Sequence, residues 1–159
     1  MARDQTEKIK LAGLLHDIGK IGTKESVLMK QAQLTDEEYS HISAHSVIGE
    51  RILRPVIDDE EILRIIKHHH ERYDGKGYPD GLSGQQIPRG ARILSVADTY
   101  DAMTSDRPYR RALSPRIALD ELERQINKQF DPSIVEAFHT MIHDATERGY
   151  EKQSTLVYL

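Results

Sequence analysis

The sequence predicts an all-α protein, a helical bundle of five or six helices interrupted by one long glycine-rich loop. Three observations predict it. Apolar residues recur three and four positions apart along most of the chain, and no stretch alternates every second residue. Helix-start signals follow one another at helix-length intervals. Five glycines (Gly75, Gly77, Gly81, Gly84, Gly90) and two prolines fall within residues 71–90, the one long stretch without a period.

The elements follow in order. Leu11, Leu14, Leu15 and Ile18 mark the apolar face of a first helix, which Gly19 and Gly22 break. Residues 21–34 read as a loop. Thr35 and Glu38 form a capping-box pattern that opens a helix through Leu53, with Pro55 beyond it. Asp58 with Glu61 opens the next, in which Ile62, Ile65, Ile66 and His69 share one face. After the glycine-rich loop a helix runs from Ala91 to Met103. Ser114–Pro115 and Asp131–Pro132 are N-cap and first-turn pairs, and Gly149 ends the last helix. Residues 1–149 read as a single domain and residues 150–159 as a tail.

Composition narrows the function. The 159 residues suit one core, and 38% hydrophobic with 30% charged residues is an ordinary globular balance. No run of about twenty apolar residues exists to span a membrane, and the start MARDQTEKIK lacks the apolar stretch of a secretory signal. The absence of cysteine excludes disulfides and thiolate metal sites and fits a cytoplasmic protein. A net charge of −4 argues against binding long nucleic acid. A small anion is still admissible, because bound cations reverse the local sign.

Candidate ligands recur on separate helical segments. His16 and Asp17 lie where the first helix ends. Imidazole and carboxylate both suit divalent transition metals, although a bare pair equally describes a surface histidine beside an N-capping aspartate. In LLHDIGK an apolar helix delivers the pair inward and Lys20 follows. His45 sits with His41, Ile42, Ile48 and Ile52 on one helix face, as a ligand or as a core histidine. His69 continues the isoleucine stripe and His70 follows Ile66 by one turn, while His68 lies off the stripe, toward solvent. The three histidines also fit a solvated helix end. Asp98 has apolar neighbours one turn away, so it must be paired with a cation or a metal. Arg107, Arg110 and Arg111 in SDRPYRR suit phosphate or form a solvated basic turn. Tyr78 in DGKGYPDG offers a face for a base or simply packs.

The strings LLHDIGKIG, the H-x-x-x-G of His45 and Gly49, HHHERYDGKGYPDGL, IPRGARILSVADTYDAMTSDRPYR and FDPSIVEAF resemble the HD-GYP family, from Leu11 to Phe138. HD-GYP domains are a branch of the HD superfamily of metal-dependent phosphohydrolases. The resemblance implies two or three divalent metal ions, iron or manganese, and hydrolysis of cyclic di-GMP to pGpG or GMP through a metal-bridging hydroxide. Metal ligands would be His16, Asp17, His45, His69, His70 and Asp98, with Asp17 bridging. Lys20 would contact the scissile phosphate. Tyr78 and Pro79 belong to the motif that names the family, and Asp101, Arg107 and Arg110 match positions for ligand recognition. Family members carry an upstream helix with another His ligand, for which residues 1–15 leave no room. A first metal site short of one ligand is therefore expected, with an apolar strip beside Leu11 and Leu14 that a homodimer or swapped arrangement would cover.

Two other readings compete. One is a weakly active or inactive module that binds a cyclic dinucleotide or a GGDEF-type signalling partner. The other is an HD phosphohydrolase acting on a different nucleotide.

Overall fold

Helices account for the ordered elements of the computed structural model, which describes residues 3–30, 32–106 and 111–147, and no strand occurs among them. They are α1 (Arg3–Leu15), α2 (Glu25–Leu28), α3 (Asp36–Ser43), α4 (His45–Leu53), α5 (Glu60–His68), α6 (Arg89–Thr104), α7 (Pro115–Arg124) and α8 (Pro132–Glu147). A 3-10 turn at Ile18–Gly22 follows α1. Arg107, Arg110 and Gly149 lie outside the described residues, as does the expected tail.

The helix expected from Thr35 to Leu53 is broken at Ala44. The Thr35–Glu38 capping box forms as read. Past it, the His45 ring bonds the Ile42 carbonyl (2.7 Å). The Ser43 and Ser46 hydroxyls donate to the carbonyls of Ser40 and Ser43. Side chains thus compete for the carbonyls that would continue the helix, and the break starts α4 on an inward-facing His45. The single turn α2 interrupts the loop expected over 21–34. Asp59 rather than Asp58 caps α5, accepting from the Glu61 and Ile62 amides at 2.9 and 3.3 Å. Ser114 accepts from Ile117 N as the cap of α7.

Two apolar cores flank the long helix α6. Its first half packs Ala91 and Leu94 with Ala12, Leu53, Ile62, Leu63, Ile65, Ile66 and Ile87. Its second half packs Val96 and Met103 with Ala118, Leu122, Phe130 and Val135. Burying each of the larger of these side chains stabilises the fold by about 1.5–3 kcal/mol. Arg92 joins the two halves: it donates to the Ile87 carbonyl at 3.1 Å and pairs with the buried Asp131 at the start of α8. No helix is long and apolar enough to cross a membrane.

Not all apolar surface is covered. Leu14 is 62% and Ile21 81% exposed, with Leu11 and Ile18 beside them. Leu11 and Leu14 mark the strip expected from the sequence, and Ile18 and Ile21 are exposed as well.

Candidate metal centre

Three helix ends and the middle of a fourth helix bring the candidate ligands to one place. His16 and Asp17 follow α1, His45 opens α4, His69 and His70 follow α5, and Asp98 lies midway along α6. A close crossing holds the first two segments together. A Cβ on Gly19 would lie 1.9 Å from the His45 carbonyl oxygen and 2.6 Å from Gly49 N, so only glycine fits.

The six side chains form one connected cluster. His16 Nε2 is 3.6 Å from Asp17 Oδ2 and 3.7 Å from Asp98 Oδ1. His45 Nε2 is 3.6 Å from Asp17 Oδ1 and 3.4 Å from His69 Nε2. The His69 and His70 rings are 4.0 Å apart, and His45 and His70 5.0 Å. Among the described residues two donor groups are tight enough to hold an ion: His45, His69 and His70, and His16, Asp17 and His69. His41 belongs to neither.

The hydrogen bonds fix how the rings are used. Nδ1 of His16, His45 and His69 faces the carbonyls of Gly13, Ile42 and Ile66 at 2.7, 2.7 and 2.6 Å. A carbonyl only accepts, so in the neutral ring the proton sits on Nδ1 and Nε2 carries a lone pair. His45 and His69 are each about 1% exposed, and their Nε2 atoms then present lone pairs to each other. Beside them Asp17 Oδ1 is buried without a hydrogen-bond partner. Such a set is repulsive by itself and complementary to a cation. Two nitrogens sharing an ion at about 2.1 Å sit about 3.0–3.4 Å apart, as these do. The residues therefore fit divalent metal.

The same burial depresses basicity. Desolvation, with His70 nearby, takes the His69 pKa down to about 2. Desolvation and His45 take His70 to about 4, and desolvation lowers His45. His16 goes the other way: burial opposes protonation, but Asp98 and Asp17 outweigh it. Asp98 is likewise held below its ordinary value, because His16 overcomes its desolvation. In chelated protein the unfolded chain takes up protons near the ordinary histidine value of 6.5, while folded His70 resists until about 4. Stability present above pH 6.5 should be lost as pH falls across that window. A chelated protein whose melting temperature stays flat from pH 6.5 to 4 would contradict this. Added metal should restore stability in the upper part of the window, since metal and proton compete for Nε2.

The glycine-rich loop walls one side. Glu71 is buried and accepts from the Asp80 and Leu82 amides at 2.8 and 3.1 Å. Asp80 accepts from Lys67 and His68 at 2.6 and 3.0 Å. Gly77 lies so close to residues 70–72 that a Cβ would meet Arg72 N at 2.3 Å. His68, expected toward solvent, is 5% exposed. It spends Nδ1 on the Arg64 carbonyl and Nε2 on Asp80, so it is a loop anchor with no nitrogen left for metal. Replacing Glu71 by alanine should cost about 1–3 kcal/mol and speed amide exchange at Asp80 and Leu82. Unchanged protection of those amides would show the carboxylate to be idle.

The remaining candidates are placed as follows. Lys20 Nζ is 2.6 Å from Asp17 Oδ2, on the edge of the cluster. Tyr78, joined to Pro79 by a cis peptide bond, lays its ring 5.0 Å from His70 at a 34° tilt. Asp101 is exposed one turn beyond Asp98 and accepts from Ser105 Oγ at 3.3 Å. Glu71, the His68–Asp80 pair and Tyr39, whose ring is 6.0 Å from Tyr78, were not singled out from the sequence. A lone Glu between HHH and the loop was the signal for the first.

Comparison with known families decides the kinship: the HD domain family model matches residues 1–134. The chain belongs to the HD domain family. Its motifs and relatives place it in the HD-GYP branch. The cyclic di-GMP phosphodiesterase response regulator RpfG of Xanthomonas campestris is 41% identical over 141 residues, covering 86% of this chain and 37% of that protein. A cyclic di-GMP phosphodiesterase of Thermotoga maritima is 41% identical over 144 residues, covering 88% and 39%. The 3'3'-cGAMP-specific phosphodiesterase 3 of Vibrio cholerae is 37% identical over 124 residues, covering 78% and 27%. The chain thus spans well under half of these HD-GYP relatives. The crystal structure of a cyclic GMP-AMP specific phosphodiesterase of V. cholerae superposes with a TM-score of 0.68 at 20% identity, covering 92% of this chain and 42% of that one. That match bears out the all-α, HD-type fold.

Proposed function

We propose that this HD-GYP domain hydrolyses a phosphodiester bond of a cyclic dinucleotide, with cyclic di-GMP as the first substrate. One observation carries the reading: histidine lone pairs and an unpartnered Asp17 oxygen converge within 4.8 Å donor sets on a surface that also holds Lys20. His45, His69 and His70 would hold one ion and His16, Asp17 and His69 a second, with Asp98 beside His16. The sulfur-free donor set suits iron or manganese. Divalent ions held there would supply Lewis acidity and an activated water for phosphodiester hydrolysis.

The chain's own residues do the rest. The carbonyls of Gly13, Ile42 and Ile66 hold the rings in the ligating tautomer. Lys20 leaves Asp17 for a phosphoryl oxygen when Asp17 is engaged, keeping positive charge beside the developing negative charge. Glu71 and His68 fix the loop that carries Tyr78.

The test is product chromatography after anaerobic incubation with Fe(II) or Mn(II) and either cyclic di-GMP or 3'3'-cyclic GMP-AMP. Metal-dependent pGpG or GMP from cyclic di-GMP supports the reading. Cleavage of the mixed dinucleotide alone would reassign the substrate. Binding without cleavage would make the domain a receptor. The exposed Leu11, Leu14, Ile18 and Ile21 support association of two copies, and a monomer by light scattering at assay concentration would refute it.

A further inference from the structure

The sequence offers Tyr78 as the aromatic face for a base, but its ring is already occupied. It tilts onto His70 (5.0 Å), meets His45 edge-on (6.4 Å, 76°) and meets Tyr39 edge-on (6.0 Å, 85°). Burial also pushes its hydroxyl pKa up. Tyr78 is therefore part of the wall behind the histidines.

Tyr39 is different. It is 56% exposed, and no other aromatic side chain among the described residues falls in the exposed class. Its backbone is nevertheless fixed. Tyr39 N donates to the Thr35 carbonyl at 2.8 Å, inside the capping box that starts α3. Glu38 next to it receives Lys30 at 2.5 Å. A ring that meets its neighbour in a T-shaped contact and belongs to a residue more than half exposed keeps surface for a flat partner to cover. Ring contacts run from Tyr39 to Tyr78 (6.0 Å) and from Tyr78 to His70 (5.0 Å), so a phosphate at the histidines would place a base within reach of Tyr39.

We propose that Tyr39 is the base-stacking residue of this site, a specificity determinant that selects a cyclic dinucleotide over a small phosphodiester. The inference rests on the hydrolase reading above. Stacking on an aromatic side chain tolerates any base, because every base has a π face, so Tyr39 sets affinity for a nucleobase rather than its identity.

The chain has no tryptophan, which gives a direct probe. Tyr39→Trp in the metal-loaded protein, titrated with cyclic di-GMP, should show fluorescence quenching as guanine covers the indole. Alongside it, Tyr39→Ala should raise KM for cyclic di-GMP roughly 5- to 100-fold with kcat and melting temperature kept, and Tyr39→Phe should restore KM. Saturating cyclic di-GMP that leaves the fluorescence unchanged, or an unchanged KM in Tyr39→Ala, overturns the assignment while wild-type turnover leaves the hydrolase reading standing. If Tyr39→Ala is too unstable to assay, the quenching alone decides. Wild-type protein that neither binds nor cleaves cyclic di-GMP overturns both.

Discussion

Asp17→Asn should abolish metal binding and turnover together, with turnover falling by at least about 10³-fold. Asp17 lies between the two donor groups, with Oδ1 3.6 Å from His45 Nε2 and Oδ2 3.6 Å from His16 Nε2. An amide keeps the shape but removes the negative charge and puts a donor where a ligand atom is needed. The fold should survive, because Asp17 lies outside both apolar cores. Equilibrium dialysis against Mn(II), with a melting curve on the same sample, separates the two effects. A folded variant that still binds metal and turns over substrate would remove Asp17 from the site.

Gly19→Ala should destabilise the fold by about 3 kcal/mol or more and disable the site with it. The added Cβ would lie 1.9 Å from the His45 carbonyl oxygen and 2.6 Å from Gly49 N. Both obstacles are backbone, so no rotamer change relieves them. The turn after α1 must move away from α4, and Asp17 moves away from His45. By contrast, a Cβ on Gly49 would find its nearest neighbour at 3.4 Å, so Gly49→Ala should be the milder of the two. Urea unfolding is the check, with a lower midpoint and an unchanged slope expected for Gly19→Ala. Equal stability of the two variants would contradict the crossing.

Much of this was legible in the sequence because it depends on local chemistry. Periodicity located most helices, and the Thr35, Ser114 and Asp131 caps are short-range hydrogen bonds that residue type announces. His69 pointed inward because it continued the Ile62–Ile65–Ile66 stripe. The failures that bear on the site are non-local or competitive. The break at Ala44 arises because His45 and two serines take helix carbonyls, which periodicity does not register. His68 is buried because Asp80, twelve residues away, returns to meet it. The contact between Tyr78 and Tyr39 depends on α3 packing beside the loop. The Gly19 crossing reads in the sequence only as a helix breaker. What brings its turn against α4 is tertiary.

The claim on which the rest depends is that these six side chains form one metal centre. Mn(II) titration followed by electron paramagnetic resonance tests it most directly. About two ions should bind per chain, close enough to couple, so that the sharp lines of aqueous Mn(II) stay absent until both positions are filled, and appear from the start with Asp17→Asn. Sharp lines growing from the first addition to the wild-type protein would mean that the histidines and aspartates do not form a metal centre.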